Sequence, residues 1–509
     1  MSIGRVQGPA LKMIVDKERE IQKFKPLPFW RIYIDIHEKA NPKNKIKLKY
    51  TKDIFNEKEL SKFSELKGKE AEVTTQKTTQ TILPPPPFDL TSLQTESYAF
   101  FGLTPSRTLE IAQELYLKGI ISYPRTSSQK IPEAINPKAI LKRLEKYFAE
   151  VKKANRTNPI EGKKSDPAHP SIYPTGEYEN LEGDLKKVYE LIVRRFISCF
   201  SPDAVIDSKV ITLVYKKNDE DLIFKERGSK IRELGWMEVY QSNVKEKEIE
   251  DMNGKSIIDK VEQEKDETKP PRRFSPASII NELEKAGLGT KATRANILET
   301  LYDRNYITDK KSIKATPFGI NLIETLEKNS PIIIDKKLTH EMESNMEHLR
   351  ESKKDLDKKQ QLILKKAQET IKAISEDFHK RENIIGKDLQ SSIQDFYKQQ
   401  QIENQIKSCD KCKQGMLTIK FSPKNRRYFV ACNNYPNCTN TFSLPPYGLI
   451  KKLSPEKLCD KCGFPLLMSI QKAKRPWIFC FNPNCESRKE KQERKLEQER
   501  QEEVQEANK

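Results

Sequence analysis

Stretches in which apolar residues recur every third or fourth position are interleaved along this chain with stretches in which every second residue is apolar, so helical and extended segments are predicted by turns. Near the start, Leu11, Ile14, Val15, Glu18 and Arg19 fall at helical spacing. Residues 29–37 (FWRIYIDIH) alternate apolar and polar side chains, a strand pattern, and a second strand is expected from Ile46 to Tyr50. Thr74 to Thr81 is thin and polar, and Pro84 to Pro87 make a stiff boundary. Residues 88 to about 200 are largely helical by pattern. Within them, 108–118 sets Leu109, Ala112, Leu115 and Tyr116 on one stripe before Gly119 stops the helix, and 184–200 is strongly periodic and carries Arg194 and Arg195 side by side. β-branched runs at 204–215 and 223–237 read as the return of the β-rich unit begun at Phe29, so strands from two separated segments build one unit. Residues 245–271 are charged and mixed and close at Pro270-Pro271. Ser275 then caps a helix with Pro276 at its first position and Ile279, Ile280 and Leu283 on its stripe; Gly287 ends it, and residues 289–294 (GTKATR) open another. A long amphipathic, lysine-rich helical stretch covers 335–383.

Composition adds a partner. Lys and Arg number 93 against 74 Asp and Glu, a net charge of +19 that favours a polyanion, with nucleic acid the leading candidate. In the loop 289–294, Thr290, Lys291, Arg294 and free backbone N–H groups meet at the positive end of a helix, a cradle suited to phosphate. No apolar run of about 18 residues and no signal-peptide core is present, from which a soluble, cytoplasmic, nucleoid-associated protein with no membrane partner is expected.

Eight of the nine cysteines form two sets near the end of the chain. Cys409 and Cys412 pair with Cys432 and Cys438, with 19 residues between the pairs; Cys459 and Cys462 pair with Cys480 and Cys485, with 17 between. Four thiolates in each set suit tetrahedral structural Zn²⁺ and leave no open position for catalysis. Between the pairs lie Lys424, Arg426, Arg427, Tyr428 and Phe429 in the first set, and Lys472, Lys474, Arg475, Trp477 and Phe479 in the second. Aromatic faces stack bases and cations follow the backbone, so both knots read as single-strand binders.

The chemistry centres on residues 119–128 (GIISYPRTSS), which put a phenol beside a fixed cation. Pro124 biases Tyr123 away from the helical region, onto an extended segment just past the helix stop, where Arg125 can share its face. A tyrosine with its ordinary pKa near 10 is a weak nucleophile at neutral pH; a nearby guanidinium favours the phenolate and grips a phosphate bidentately. That pair suits attack on a phosphodiester.

GIISYPRTSS resembles the active-site signature of type IA DNA topoisomerases: an apolar run, Tyr, one residue, Arg-Thr, a small or acidic residue, and Ser. Residues 4–7 (GRVQ), 166–175 (DPAHPSIYPT) and 274–307 (FSPASIINELEKAGLGTKATRANILETLYDRNYI) resemble three more segments of that family, of the archaeal topoisomerase I or topoisomerase III sort. The resemblance implies a mixed α and β multidomain fold: a β-rich arch with helical, CAP-like or winged-helix domains and C-terminal zinc ribbons. Residues 1–28 and 272–400 would be two segments of one helical DNA-binding domain, 29–87 and 204–271 two segments of the arch, and 88–203 the helical domain of the tyrosine. Residues 405–445 and 455–488 would be the ribbons and 489–509 a charged tail. Tyr123 would cut one DNA strand and stay joined to its 5′ phosphate, Arg125 would hold the phosphate, His169 would lie near it, and Arg5, Arg194, Thr290, Lys291 and Arg294 would position the strand. Strand passage and religation would follow, relaxing negatively supercoiled DNA without ATP. The family's metal-binding TOPRIM domain, with its Mg²⁺ carboxylates and a general-acid lysine, has no match here, because Asp219-Glu220-Asp221 and Asp355-Leu356-Asp357 follow no apolar strand. A split enzyme is therefore expected, with a separate TOPRIM subunit holding Mg²⁺. The competing expectations are a non-catalytic single-stranded nucleic-acid-binding subunit and the topoisomerase half of a reverse gyrase.

Overall fold

A computed structural model describes residues 3–4, 6–217, 220–309, 311–351, 355–453, 456–471 and 475–486. They fall into two compact units, Met1–Ile385 and Gly386–Lys509. In chain order the first holds α1 (Gln7–Lys23), β1 (Pro28–Glu38), β2 (Lys45–Tyr50), β3 (Glu70–Ile82), α2 (Leu90–Phe101), α3 (Pro105–Leu117), α4 (Pro137–Leu144), α5 (Gly183–Cys199), β4 (Ala204–Lys217), β5 (Glu220–Glu233) and β6 (Gly254–Glu267). There follow α6 (Pro276–Lys285), α7 (Arg294–Asp303), a short hairpin β7 (Ile307–Thr308) and β8 (Lys314–Ala315), α8 (Pro317–Asn329) and α9 (Lys336–Glu351), and then α10 (Leu356–Glu403), whose residues from Gly386 onward belong to the second unit. The stretch expected as one helix over 335–383 is thus two.

Strands from both β-rich segments pair into one closed antiparallel barrel, in the order β1-β2-β5-β4-β3-β6. Alternation puts Ile32, Ile34, Ile36, Leu48, Val73, Ile211, Leu213 and Phe224 inside it, all fully buried. Two strands lie where the hydrophobic pattern showed none. β3 runs through the polar segment 74–81 and pairs with β4 from Glu72↔Val214 to Ile82↔Ala204, although only Ala71 and Val73 of its side chains are buried. β6 occupies the charged segment and pairs with β1 from Pro28↔Glu267 to Glu38↔Ser256, burying only Ser256 and Ile258. Backbone pairing with well-patterned neighbours holds such strands in place and leaves their outer faces free to be charged.

The helical region between the two β segments has its own core, in which Ile111, Leu115, Ile120, Ile121, Val188, Ile192 and Phe196 are buried. Arg195 of α5 ties it to the chain entering from the barrel. Its Nε donates to the Pro86 carbonyl at 2.7 Å, its Nη1 donates to both oxygens of Glu96 at 3.1 Å, and its guanidinium lies over Phe88 and Tyr240, 4.5 and 4.8 Å from the ring centres. The Tyr240 hydroxyl donates to the same Glu96 carboxylate. The opening helix packs back onto the segment after the barrel: Glu18 takes two hydrogen bonds from Arg273, at 2.9 and 2.8 Å, and Glu327 of α8 pairs with Lys12 and Arg19 at 2.5 and 2.8 Å.

The second unit carries two small sheets. The first has the order β12-β11-β10-β9, from β9 (Gln405–Ser408), β10 (Met416–Ser422), β11 (Arg427–Cys432) and β12 (Thr441–Ser443). The second is β13 (Leu449–Lys452), β14 (Leu466–Ile470) and β15 (Trp477–Cys480). They share one core: Leu417, Val430 and Leu444 of the first pack with Ile450, Leu467 and Phe481 of the second.

Candidate active site

Two chain segments run antiparallel beside each other and carry the candidate groups. Thr104 caps α3 by accepting from the Arg107 N–H at 3.3 Å, Pro105 stands at the first position, and the helix stops at Gly119, whose φ of +74° is a conformation glycine adopts without a Cβ penalty. Ile120 and Ile121 then sink into the core at 1 % exposure each, a burial on the order of 2 kcal/mol per side chain, and so fix the residues that follow. Ser122 locks this strand to residues 171–173. Its N–H donates to the Tyr173 carbonyl at 2.9 Å, its hydroxyl donates to the Ser171 carbonyl at 3.0 Å, and the same hydroxyl accepts from the Tyr173 N–H at 3.0 Å. Further along, the Thr126 hydroxyl donates to the His169 carbonyl at 3.3 Å.

This pairing brings Tyr123 and His169 together. Their rings lie 4.6 Å apart, centre to centre, at 48°. Tyr116, placed by the sequence on an apolar stripe, meets the Tyr123 ring edge-on at 5.4 Å from a partly exposed position. Tyr123, Arg125 and His169 are all half-buried, as suits groups that must meet a ligand. Among the described residues no hydrogen bond or ion pair engages the Arg125 guanidinium, which leaves its donors available to an anion.

The other candidate cations are already engaged. Lys291, in the loop before α7, makes an ion pair with Asp166, whose side chain is 1 % exposed. Asp166 stands three residues before His169 and also accepts from the Ser127 N–H and hydroxyl at 3.3 Å and from the Ala168 N–H at 3.0 Å. Arg294 donates to the Leu288 carbonyl at 3.2 Å and faces Glu284 at 4.0 Å; burial holds its guanidinium below the ordinary arginine range. Thr290 is exposed and bonds Thr293 through its N–H, at 3.0 Å. Lys164 joins the same neighbourhood, reaching Asp89 at 2.9 Å and Glu284 at 2.7 Å. Burial opposes its charge, but the bonds to Glu284 and Asp89 outweigh that and raise its pKa. Arg194 lies on α5 with Glu150 and Glu190 each 3.5 Å away, while Arg195 beside it belongs to the buried knot above. Arg5 lies outside the described residues, as do Lys472, Lys474 and the tail from 487.

Asp166 lies in the segment 166–175, but no role for it is evident from the residues alone. An aspartate two residues before a free N–H and next to a proline is a turn-forming signal that marks it.

Both cysteine sets converge. The sulfurs of Cys409 and Cys438 lie 3.8 Å apart, those of Cys412 and Cys432 3.6 Å, those of Cys459 and Cys485 3.6 Å, and those of Cys462 and Cys480 3.5 Å. A tetrahedron of sulfurs about 2.3 Å from Zn²⁺ has edges of about 3.8 Å, so each set fits that ion. Burial would raise the Cys409 thiol, but hydrogen bonds from the Asn440 side chain and from the backbone at Cys412 and Lys411 outweigh it and hold it below the ordinary range, whereas burial pushes the Cys432 thiol of the same set up. The ninth cysteine, Cys199, is buried at the end of α5, and burial pushes its thiol up to about 12. On the first ribbon Arg426 and Arg427 are exposed, and Phe421, half exposed, packs on Tyr428 at 4.9 Å. On the second, Trp477 is exposed, whereas Phe479, expected to stack on bases, is buried in the shared core. Among the described residues no other cluster of three or more His, Cys, Asp or Glu side chains converges as a metal site. Nor is any helix there long and apolar enough to cross a membrane.

Residues 1–361 match the family model described as DNA topoisomerase, and residues 406–447 match one described as topoisomerase DNA binding C4 zinc finger. The DNA topoisomerase 1 of Pyrococcus horikoshii is 41 % identical over 516 aligned residues, covering 96 % of this chain and 71 % of that one. The DNA topoisomerase 1 of Methanothermobacter thermautotrophicus is 38 % identical over 498, covering 96 % of this chain and 66 % of its own length. Both relatives are therefore longer chains, and neither lends support to a separate TOPRIM subunit. Among solved structures, full-length topoisomerase I from Thermotoga maritima shares the fold with a TM-score of 0.59 and 23 % identity, over 89 % of this chain and 72 % of that one.

Proposed function

Since the chain belongs to the type IA DNA topoisomerases, we propose that it carries the strand-breaking centre of that isomerase, with Tyr123 as the nucleophile. The phenolic oxygen of Tyr123 attacks the phosphorus of a phosphodiester in single-stranded DNA. The bond from phosphorus to the 3′ oxygen breaks, that oxygen leaves as a hydroxyl with the proton the phenol gives up, and a 5′-phosphotyrosine is formed. Religation runs the same exchange backwards. One ester replaces another at each step, so the bond energy is kept and no nucleotide hydrolysis enters the balance.

The observation that carries this is the position of Tyr123: half-buried, anchored by two buried isoleucines, with His169 against its ring and Arg125 two residues along the same extended segment. Arg125 holds the phosphate, whose charge grows as it becomes five-coordinate, and His169 orients it. Thr290, Lys291 and Arg294, with Arg5 and Arg194, position the strand, and the ribbons bind single strands through Arg426, Arg427, Phe421 and Trp477. The zinc ions, held by Cys409, Cys412, Cys432 and Cys438 and by Cys459, Cys462, Cys480 and Cys485, staple these ribbons and take no part in the chemistry. Mg²⁺ is assigned to a TOPRIM module outside the described residues.

Relaxation of negatively supercoiled plasmid tests the proposal. Loss of supercoils is expected with Mg²⁺ when this chain and a TOPRIM polypeptide are mixed. No relaxation by any such mixture would refute the assigned function.

A further inference from the structure

Among the described residues Asp166 is the one carboxylate that touches the tyrosine segment, the histidine loop and the cation loop together, and its chemistry is that of a phosphate. Like a DNA phosphate, it is an anion with two oxygens that can take a lysine ammonium and backbone N–H groups at once. It accepts from Ser127, four residues past Tyr123; from Ala168, next to His169; and from Lys291 across the interface between the tyrosine-bearing helices and the segment of α6 and α7. Its side chain is 1 % exposed, whereas Lys291 keeps 21 % of its own surface open. The cation can therefore be approached from solvent while the carboxylate cannot. A parallel pair crosses the same interface nearby, where Lys164 bridges Asp89 and Glu284.

We propose that Asp166 is an internal stand-in for a DNA phosphate: it occupies Lys291 in the DNA-free protein, and an incoming strand must exchange its own phosphate for this carboxylate. The inference rests on the assignment of Lys291 to strand binding made above. It gives Asp166 two linked effects. It holds the Ser127 and Ala168 backbones, and so positions Tyr123 and His169 when no strand is present. It also lowers affinity, because the exchange trades one ion pair for another and releases no net counterion at Lys291.

The salt dependence of strand binding separates this from a merely structural aspartate. Each phosphate newly neutralised on a single strand adds about 0.7 to the slope of log K against log salt concentration. With Tyr123→Phe as the parent, so that cleavage does not intervene, binding of a labelled oligothymidylate is measured by anisotropy over a salt series. Asp166→Asn keeps an oxygen acceptor in place and removes the charge. It is expected to bind about tenfold tighter at low salt, with a slope steeper by about 0.7. Adding Lys291→Gln to Asp166→Asn is expected to erase both gains, which ties the effect to that cation and controls for a folding defect in the single variant. Equal affinity and slope for Asp166→Asn and its parent would overturn the proposal, as would a gain that survives Lys291→Gln. If the Tyr123→Phe parent binds no single strand at all, the strand-binding assignment falls first, and the inference falls with it.

Discussion

The imidazole of His169 lies against the phenol ring of Tyr123, 4.6 Å between ring centres, because Ser122 and Thr126 hydrogen-bond the backbone carbonyls of Ser171 and of His169 itself. The contact is therefore held by main chain and does not depend on the two side chains attracting each other. His169→Ala should leave the fold intact and slow covalent attachment to single-stranded DNA roughly hundredfold, the usual cost of one oriented donor at a developing charge. Arg125→Ala should cost at least as much, and Arg125→Lys should restore only part, since an ammonium cannot grip two oxygens in the plane of a guanidinium. Single-turnover adduct formation at saturating DNA measures both; rates equal to the parent's would remove these residues from the site.

The knot at Arg195 calls for a stability prediction. Replacing Arg195 by Met leaves the Glu96 carboxylate without its bidentate partner beside Tyr240 and should destabilise the first unit by about 3–5 kcal/mol in a urea titration. Changing Glu96 to Leu in the same chain should recover much of that loss, because the uncompensated charge is then gone. A double variant as unstable as the single would show that packing against Phe88, and not charge, sets the cost.

Acid should loosen the opening helix from α8. Hydrogen bonds from Arg19, opposed by burial and helped by Lys12, hold the Glu327 carboxyl below its ordinary range. A carboxylate whose pKa is depressed on folding adds stability that is complete above its unfolded pKa of about 4.3 and is lost as pH falls through the lower folded value. Amide exchange in 7–23 should therefore rise below about pH 4 in the parent, and Glu327→Gln should flatten that dependence. An unchanged pH profile in the variant would contradict the assignment.

The ribbons should fail together. Their zinc sites are separate, yet Leu417, Val430, Leu444, Leu467 and Phe481 form one core. Cys432→Ser, which removes a ligand from the first site, is expected to raise hydrogen exchange in β13–β15 as well as in β9–β12. Exchange confined to the first sheet would mean that the ribbons are independent.

Much of this was legible along the chain because local patterns carry it. Tyr123, Arg125 and His169 sit in segments whose residue types mark them, and the sulfur sets are announced by their spacing. The barrel was legible only at β1, β2, β4 and β5, whose side chains alternate. β3 and β6 escaped because a strand flanked by good partners needs few apolar residues of its own, and Thr74–Thr81 and Lys260–Glu267 have almost none. Side-chain partners escaped for a different reason. That Arg195 would be buried against Glu96 while Arg194 meets Glu150, or that Asp166 would reach Lys291, depends on contacts between segments far apart in sequence, on which periodicity is silent.

The proposed reaction requires that the Tyr123 oxygen become esterified to a DNA 5′ phosphate. Labelled single-stranded DNA incubated with this chain, Mg²⁺ and a TOPRIM polypeptide, quenched in detergent and run on a denaturing gel, tests it most directly. A protein-linked band is expected whose digested peptide carries the nucleotide on Tyr123, and which is absent for Tyr123→Phe. No linked band from the active mixture, or a band that persists in the phenylalanine variant, would contradict the account.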